Sequence, residues 1–370
     1  MLKTTPLYPY HVEHAKLTEF AGYDMPLWYS TTTAEHLAVR NATGMFDVSH
    51  MGRFEVNGTR AGAFLEGLVP TQVQQQPAGK SFYTLLLNDR GGIIDDLIIT
   101  KLAEDRYFMV VNAANAEIDM RHIAAHAPSG LELRDATESS AMIAVQGPSA
   151  QLSLQPLTPL DLSQLKRFRC AETTILGNAG TISRTGYTGE DGFEVILTGL
   201  NPGTFSKALS VWERLLDTCT PCGLGARDSL RLEAGYPLHG SDIDQDTDPF
   251  QAELSWVISA GKSGYIGSDA IRELGAKPAA VIRRGLVLDQ GIPRHGFEVF
   301  KESESAGTVT SGTFSPILRK GIALGKVKST IEVGSPLAVQ VRDSREPAQM
   351  VKPPFYDERI YGWKRASKGN

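Results

Sequence analysis

The segment Ser81-Phe82-Tyr83-Thr84-Leu85-Leu86-Leu87-Asn88-Asp89-Arg90-Gly91-Gly92-Ile93-Ile94-Asp95-Asp96-Leu97-Ile98-Ile99 reads as two apolar strands joined by a turn. Asn-Asp-Arg-Gly between hydrophobic runs is a hairpin signal, because Asn and Gly tolerate the backbone angles of a tight reversal. The second strand is apolar on both faces and is expected to be buried on both sides. Successive strand side chains point to opposite faces, so Asp95 and Asp96 meet different surroundings. A buried carboxylate is costly unless it is paired, hydrogen-bonded or facing a cavity. One reading leaves two solvated aspartates at a strand end. The other puts one carboxylate in a ligand cavity, where its charge has a task. With the turn centred between Asp89 and Arg90, Tyr83 lies opposite Asp96.

Outward from this hairpin, helix and strand signals alternate. Residues 33–42 carry helical spacing and stop before Gly44, and residues 45–56 read as extended. Residues 59–68 are amphipathic and end at Pro70. A strand is expected at 107–112, followed by a helix through His126. From 140 to 197 strands predominate (142–145, 173–175, 180–184, 193–197), with helical segments at 151–155 and 205–216. Another helix is expected at 224–234. The acidic stretch 240–249 is the clearest loop. Residues 281–352 carry short Val/Ile-rich runs broken by glycines at regular spacing, which predicts a small all-β barrel or sandwich. The fold class is therefore α+β, closed by an all-β C-terminal domain.

At 370 residues the chain exceeds the size at which a single core stops growing, so two or three domains are expected. With 37 Lys+Arg against 42 Asp+Glu, the net charge of −5 argues against a nucleic-acid partner. Three cysteines, Cys170, Cys219 and Cys222, cannot form a disulfide framework, which favours a reducing, cytoplasmic setting. Neither a targeting segment nor a membrane-length apolar run is read, so no membrane partner is expected.

Several motifs fail on spacing. Gly79-Lys80-Ser81 and Gly261-Lys262-Ser263 lack the glycine that a phosphate loop needs five residues earlier; Gln74 and Trp256 stand there. Gly223-Leu224-Gly225 lacks the third glycine of a dinucleotide fingerprint. Cys219-Thr220-Pro221-Cys222 has redox or half-zinc spacing but no second pair, so buried thiols are expected and no metal site is assigned. No nucleophile elbow is present.

Five motifs occur in order: Phe46-Asp47-Val48-Ser49-His50-Met51-Gly52, the Gly91–Ile98 strand, Gln146-Gly147-Pro148, Thr185-Gly186-Tyr187-Thr188-Gly189-Glu190-Asp191-Gly192-Phe193-Glu194, and Gly225-Ala226-Arg227-Asp228-Ser229-Leu230-Arg231-Leu232-Glu233. Together they closely resemble the T-protein of the glycine cleavage system, a tetrahydrofolate-dependent aminomethyltransferase, over residues 5–363. The resemblance implies a three-domain cloverleaf around a central folate channel. Its first domain would be residues 1–52 plus 138–250, its second 53–137 plus 251–278, and its β-barrel 279–370.

The implied reaction moves the methylene carbon of an aminomethyl group from the lipoyl arm of a lipoylated H-protein to tetrahydrofolate, releasing ammonia. A fixed carboxylate in a dry cavity would stabilise the positive charge that develops. The family places it at the second position of the Asp-Asp pair, Asp96, with Asp95 as a structural neighbour. Tyr187 and Glu194 match an aromatic wall and an acid for the pterin ring. Arg227 at a helix start suits an anion such as the folate tail. Met51, Tyr83 and Asn112 are implied pocket lining, and Tyr361 lies near the exit. The alternatives are a folate-dependent demethylase of the same superfamily and a non-catalytic folate-binding accessory protein. The oligomeric state is left open, a monomer being compatible.

One segment departs from the family. Many T-proteins read roughly Pro-x-Glu-Ala-Gly-Leu-Gly-Trp after the acidic loop, whereas this chain has Pro249-Phe250-Gln251-Ala252-Glu253-Leu254-Ser255-Trp256.

Overall fold

The structure, a computed structural model, describes residues 1–365. Its first third holds α1 (Tyr8–His14), β1 (Lys16–Phe20), β2 (Tyr23–Trp28), α2 (Thr32–Asn41), β3 (Gly44–Asp47), β4 (Gly52–Asn57) and α3 (Ala61–Leu68). Next come β5 (Lys80–Leu87), β6 (Ile93–Ala103), β7 (Arg106–Val111), α4 (Ala116–His126), β8 (Glu132–Asp135) and β9 (Ala141–Gln146). The middle continues with α5 (Ala150–Leu154), β10 (Cys170–Ile175), β11 (Asn178–Ser183), β12 (Gly192–Leu197), α6 (Ser206–Leu215), β13 (Thr220–Pro221), α7 (Leu224–Ala234) and α8 (Ser268–Gly275). Six strands close the fold: β14 (Val281–Leu288), β15 (Glu298–Lys301), β16 (Glu304–Ser315), β17 (Lys320–Lys328), β18 (Pro336–Val341) and β19 (Ser344–Val351).

Two compact units emerge. The first comprises Met1–Leu68, Gln72–Thr84 and Asp96–Arg227; the second comprises Val69–Thr71, Leu85–Asp95 and Asp228–Asn370, of which residues 366–370 lie outside the described part. The division falls inside β6, between Asp95 and Asp96.

In the first unit, one sheet runs β10-β11-β12-β9-β3-β13, antiparallel except for the short β13 beside β3. A second sheet has the order β5-β6-β7-β4-β8. The chain crosses from the first sheet to the second between β3 and β4, and returns between β8 and β9. Amphipathic α6 covers the first sheet: Ala208, Val211, Trp212 and Leu215 recur at helical spacing and are fully buried beside Val145, Phe193, Val195 and Leu197. At an order of ~2 kcal/mol for each large apolar side chain taken from water, this layer supplies much of the unit's stabilisation.

In the second unit, β14-β17-β16-β15-β18-β19 form a closed antiparallel barrel, so the C-terminal barrel expectation holds. Its inward residues, among them Leu286, Val299, Val309, Val327, Val339 and Met350, form one core. The acidic stretch 240–249 is irregular, as expected, yet it is not a solvated loop. Asp242 is buried and accepts from Arg231 (2.6 Å), Ser311 (2.9 Å) and the Leu238 amide (2.9 Å). Removing one partner would strand a charge in a dry site. Lys262 of the second Gly-Lys-Ser donates to the carbonyls of Val69 (2.9 Å) and Thr71 (2.6 Å), a structural task that needs no phosphate.

The departing segment also has a backbone account. Glu253 sits at φ +57°, in the left-handed region that glycine enters freely and other residues enter at a cost. Its carboxylate pairs with Arg284.

Three features differ from the sequence reading. The hairpin turn is centred between Asp89 and Arg90 as expected, closed by the Gly91 amide on the Asn88 carbonyl (2.9 Å), but the Asn88 amide also donates to the Gly92 carbonyl (2.9 Å), so an unanticipated one-residue bulge sits at Gly91. Gly91 takes φ +83° there. The helix expected at 151–155 ends at Leu154, and Pro156 lies inside a following 3-10 turn. The segment 8–28 and α8 were not anticipated, because α1 spans only seven residues with a proline in its first turn, and β1 is mostly exposed and carries no apolar alternation.

Candidate functional site

Asp96 is half-buried and held by two neutral donors. The Tyr83 hydroxyl donates to Oδ2 (2.9 Å) and the Asn112 amide nitrogen to Oδ1 (2.9 Å). Asn112 also donates to the Asp96 carbonyl (3.1 Å). The pairing of β6 with β7 explains this meeting. Ile98 faces Val110 and Thr100 faces Phe108, so continuing the register sets Asp96 opposite Asn112. Both carboxylate oxygens are thereby fixed in direction. Asp95, on the opposite face, is fully buried, which removes the reading of two solvated aspartates.

Glu194 is the one half-buried residue of β12, the other five being buried, and shares a face with Ile196. Its carboxylate accepts from the Thr185 hydroxyl. Burial pushes the carboxyl above its ordinary range, while that hydroxyl and the Arg227 charge oppose the rise. Arg227 lies over the Tyr187 ring at 4.8 Å, a cation–π contact that orients both. Burial lowers its guanidinium, and Tyr187 and Glu194 act against that lowering. Glu194, Arg227 and Tyr187 therefore form one electrostatic group.

The loop 185–191 is held in place by side-chain hydrogen bonds. Gln146 donates to the Thr185 carbonyl (3.1 Å) and accepts from Thr188 (2.9 Å). A side chain at Gly186 would place its Cβ 1.9 Å from the Gln146 side chain, so any larger residue would push Gln146 out of these hydrogen bonds. Arg40, fully buried, donates to the Thr188 carbonyl (2.9 Å) and to Glu190 (3.0 Å). The motif glycines thus serve a close approach between Gln146 and the loop.

The two sheets of the first unit face each other, with Glu194 on the inner side of one of them. Between them lies a narrow cavity lined by Ile98, Thr100, Phe108 and Val110 from one sheet and by Met142, Thr181, Ser183, Glu194 and Ile196 from the other. Asp96 shares the face of Ile98 and Thr100. Of the expected residues, Asp96, Tyr83 and Asn112 make one hydrogen-bonded group; Glu194, Tyr187 and Arg227 make a second, of which Glu194 lines the cavity from the other sheet. Each of the six is half-buried, the condition of a side chain that is held by the protein yet open to a ligand.

Met51 is half-buried in the loop between β3 and β4. Its neighbour His50 is buried, and its Nδ1 has no hydrogen-bond partner among the described residues. Burial, then the charges of Arg227 and Arg53, pull the His50 imidazole down to about 3, so it is neutral at physiological pH. Tyr361 lies in the second unit, edge-on to Tyr356 with ring centroids 6.5 Å apart.

The sequence reading missed a chain of buried polar groups at the Asp47 motif. Asp47 accepts from Thr5 (2.6 Å), His11 (2.9 Å) and the Ser49 amide (2.8 Å), and the other His11 nitrogen meets the Tyr29 hydroxyl (2.8 Å). Burial alone would raise the Asp47 carboxyl, but these donors hold it at about 2. The only sequence signal was an aspartate inside an otherwise apolar strand end. Cys170, Cys219 and Cys222 are free thiols, all with titration pushed upward by burial, Cys170 to about 12.

Residues 7–262 match the GCVT N-terminal domain and residues 283–357 the glycine cleavage T-protein C-terminal barrel domain. An aminomethyltransferase from Nostoc sp. is 43% identical, covering 96% of this chain and 96% of its own length. One from Thermus thermophilus is 43% identical over 96% of this chain and 99% of its own. The chain belongs to the glycine cleavage T-protein family. The crystal structure of glycine cleavage system aminomethyltransferase T from Bartonella henselae aligns with a TM-score of 0.90 at 36% identity, covering 98% of this chain and 100% of that one. As a member of this family the chain is an aminomethyltransferase.

Proposed function

We propose that this chain transfers the one-carbon unit of an aminomethyl group, carried on the lipoyl arm of an H-protein, to tetrahydrofolate with release of ammonia. Tetrahydrofolate, as co-substrate, supplies the nitrogen nucleophile. The observation that carries the reading is the Asp96 carboxylate, oriented by Tyr83 and Asn112 and set on the inner face of its sheet. A carboxylate already oriented in a poorly solvated site stabilises developing positive charge without reorganising, and it can hold a proton at either oxygen.

The remaining side chains fit the group in kind. Glu194 offers a carboxylate to adjacent N–H donors of a flat ring, Tyr187 and Met51 offer apolar walls, and Arg227 offers a cation to an acidic tail. The orphaned His50 Nδ1 is a further polar atom in want of a partner. Tyr361 is proposed at the exit. The three-domain division at 52/53, 137/138, 250/251 and 278/279 is supported by the sheets, since β3 with β9–β13, β4–β8 and β14–β19 segregate to within one residue of those limits. Among the described residues no helix is long and apolar enough to cross a membrane, and the three free thiols support a cytoplasmic location.

The test is turnover. Purified chain, given aminomethylated H-protein and tetrahydrofolate, releases ammonia and forms methylene-tetrahydrofolate. No release with that pair, together with turnover of a small methylated sulfonium or amine, would move the assignment to the demethylase.

A further inference from the structure

Arg53, in β4, is fully buried and ties together both crossings between the two sheets of the first unit. Its Nη1 donates to the carbonyls of Ser49 (3.0 Å) and Met51 (2.6 Å), in the outgoing crossing between β3 and β4. Its Nη2 donates to the carbonyls of Thr137 (2.5 Å) and Ser140 (3.4 Å), in the return crossing between β8 and β9. Nε donates to the Ser140 hydroxyl (2.7 Å), and the Arg53 amide to the Thr137 hydroxyl (3.0 Å). Every acceptor of the guanidinium is a backbone carbonyl or a hydroxyl, so the group is a planar staple rather than half of an ion pair. Only a guanidinium presents donors in a fixed fork able to reach two chain segments at once; an ammonium is a single point.

Burying such a charge is costly. Burial lowers the guanidinium to about 10, the Asp47 charge opposing, so it stays protonated at physiological pH. What the charge does there follows from what the crossings connect. One sheet carries Tyr83, Asp96 and Asn112, the other carries Glu194, and the outgoing crossing itself carries His50 and Met51. The relative setting of the two sheets at these crossings fixes how the proposed catalytic carboxylate and the proposed pterin-binding acid confront one ligand.

We propose that Arg53 is a positioning residue for aminomethyl transfer: by stapling residues 49–51 to residues 137–140, it sets the Asp96 face against the Glu194 face and holds the Met51 loop. This rests on the site reading above. A displacement of about 1 Å between reacting groups is enough to cost roughly 100-fold in rate.

The test compares wild-type protein, Arg53→Lys and Ser140→Ala, in the full chain, well below each melting temperature. Turnover of aminomethylated H-protein is measured with kcat and the tetrahydrofolate KM resolved separately. Arg53→Lys keeps the charge but cannot reach both crossings; the expected result is kcat/KM lower by about 100-fold, with kcat falling as well as KM rising. Ser140→Ala removes one acceptor and leaves the arginine in place, and a drop of several-fold is expected. Should Arg53→Lys fail to fold, Ser140→Ala alone decides. Variants that melt earlier but keep wild-type kcat and KM while folded would overturn the proposal, leaving Arg53 a purely structural residue. A wild-type protein that does not turn over would instead strike the site reading, so the two failures are distinguishable.

Discussion

The Tyr83 hydroxyl donates to Asp96 Oδ2 at 2.9 Å while Asn112 takes Oδ1 at the same distance. The carboxylate therefore cannot rotate without breaking a hydrogen bond. The two donors reach it from either side of β6, Tyr83 from β5 and Asn112 from just past the end of β7.

Tyr83→Phe and Asn112→Ala each delete one donor to Asp96. Hydrogen bonds to charged groups contribute roughly 1.5–3 kcal/mol, so each variant is expected to lose about 10- to 100-fold in kcat/KM. Steady-state kinetics check this; a loss under twofold in both variants would show that the carboxylate needs no orientation.

Glu194→Gln separates binding from chemistry. Glu194 faces the cavity but is not hydrogen-bonded to Asp96, so the tetrahydrofolate KM is expected to rise about tenfold with kcat little changed. Kinetics at saturating and limiting folate read the split. A fall in kcat alone would give Glu194 a chemical role instead.

Acid sensitivity has a worked sign. His50 is neutral in the folded protein down to about 3, against an ordinary value of 6.5. Between those values the unfolded chain binds the proton and the folded one does not, so stability falls as pH drops, by about 1.4 kcal/mol per pH unit. Asp47, held at about 2 from an ordinary 3.8, contributes stability above its unfolded value that is lost as pH falls through the folded value, about 2 kcal/mol in all. Denaturant melts of His50→Gln at a series of pH values below about 6.5 should show a flatter decline than wild type. Parallel declines would mean that His50 is not the group responsible.

Glu253→Gly relieves a left-handed backbone at the cost of a half-exposed ion pair with Arg284. The strain is worth about 1 kcal/mol and the pair about 0–1, so the variant is expected to melt at the same temperature or slightly higher. Thermal denaturation reads it, and a large drop would show that the ion pair dominates.

Much of this was legible in the chain. The hairpin announced itself because Asn88-Asp89-Arg90-Gly91 separates two apolar runs, and the Asp-Asp pair stood out against them. The barrel was readable from glycines interrupting Val/Ile runs. What stayed hidden depends on groups far apart in sequence. Arg53 looks like any strand arginine until Thr137 and Ser140, 84 and 87 residues away, turn out to accept its hydrogen bonds. Asp242 reads as one of several loop acids until Arg231 and Ser311 enclose it. Glu253 appeared as a departure from a motif; its positive φ supplies the reason that glycine is common there.

The most direct measurement is a single turnover of Asp96→Asn on aminomethylated H-protein, with tetrahydrofolate binding measured on the same preparation. The substitution keeps the shape and the contact with Tyr83 but removes the charge. Folate affinity within a few-fold of wild type, with ammonia release slower by about 100- to 10,000-fold, is the predicted result. Unchanged ammonia release would contradict it and remove Asp96 from the chemistry.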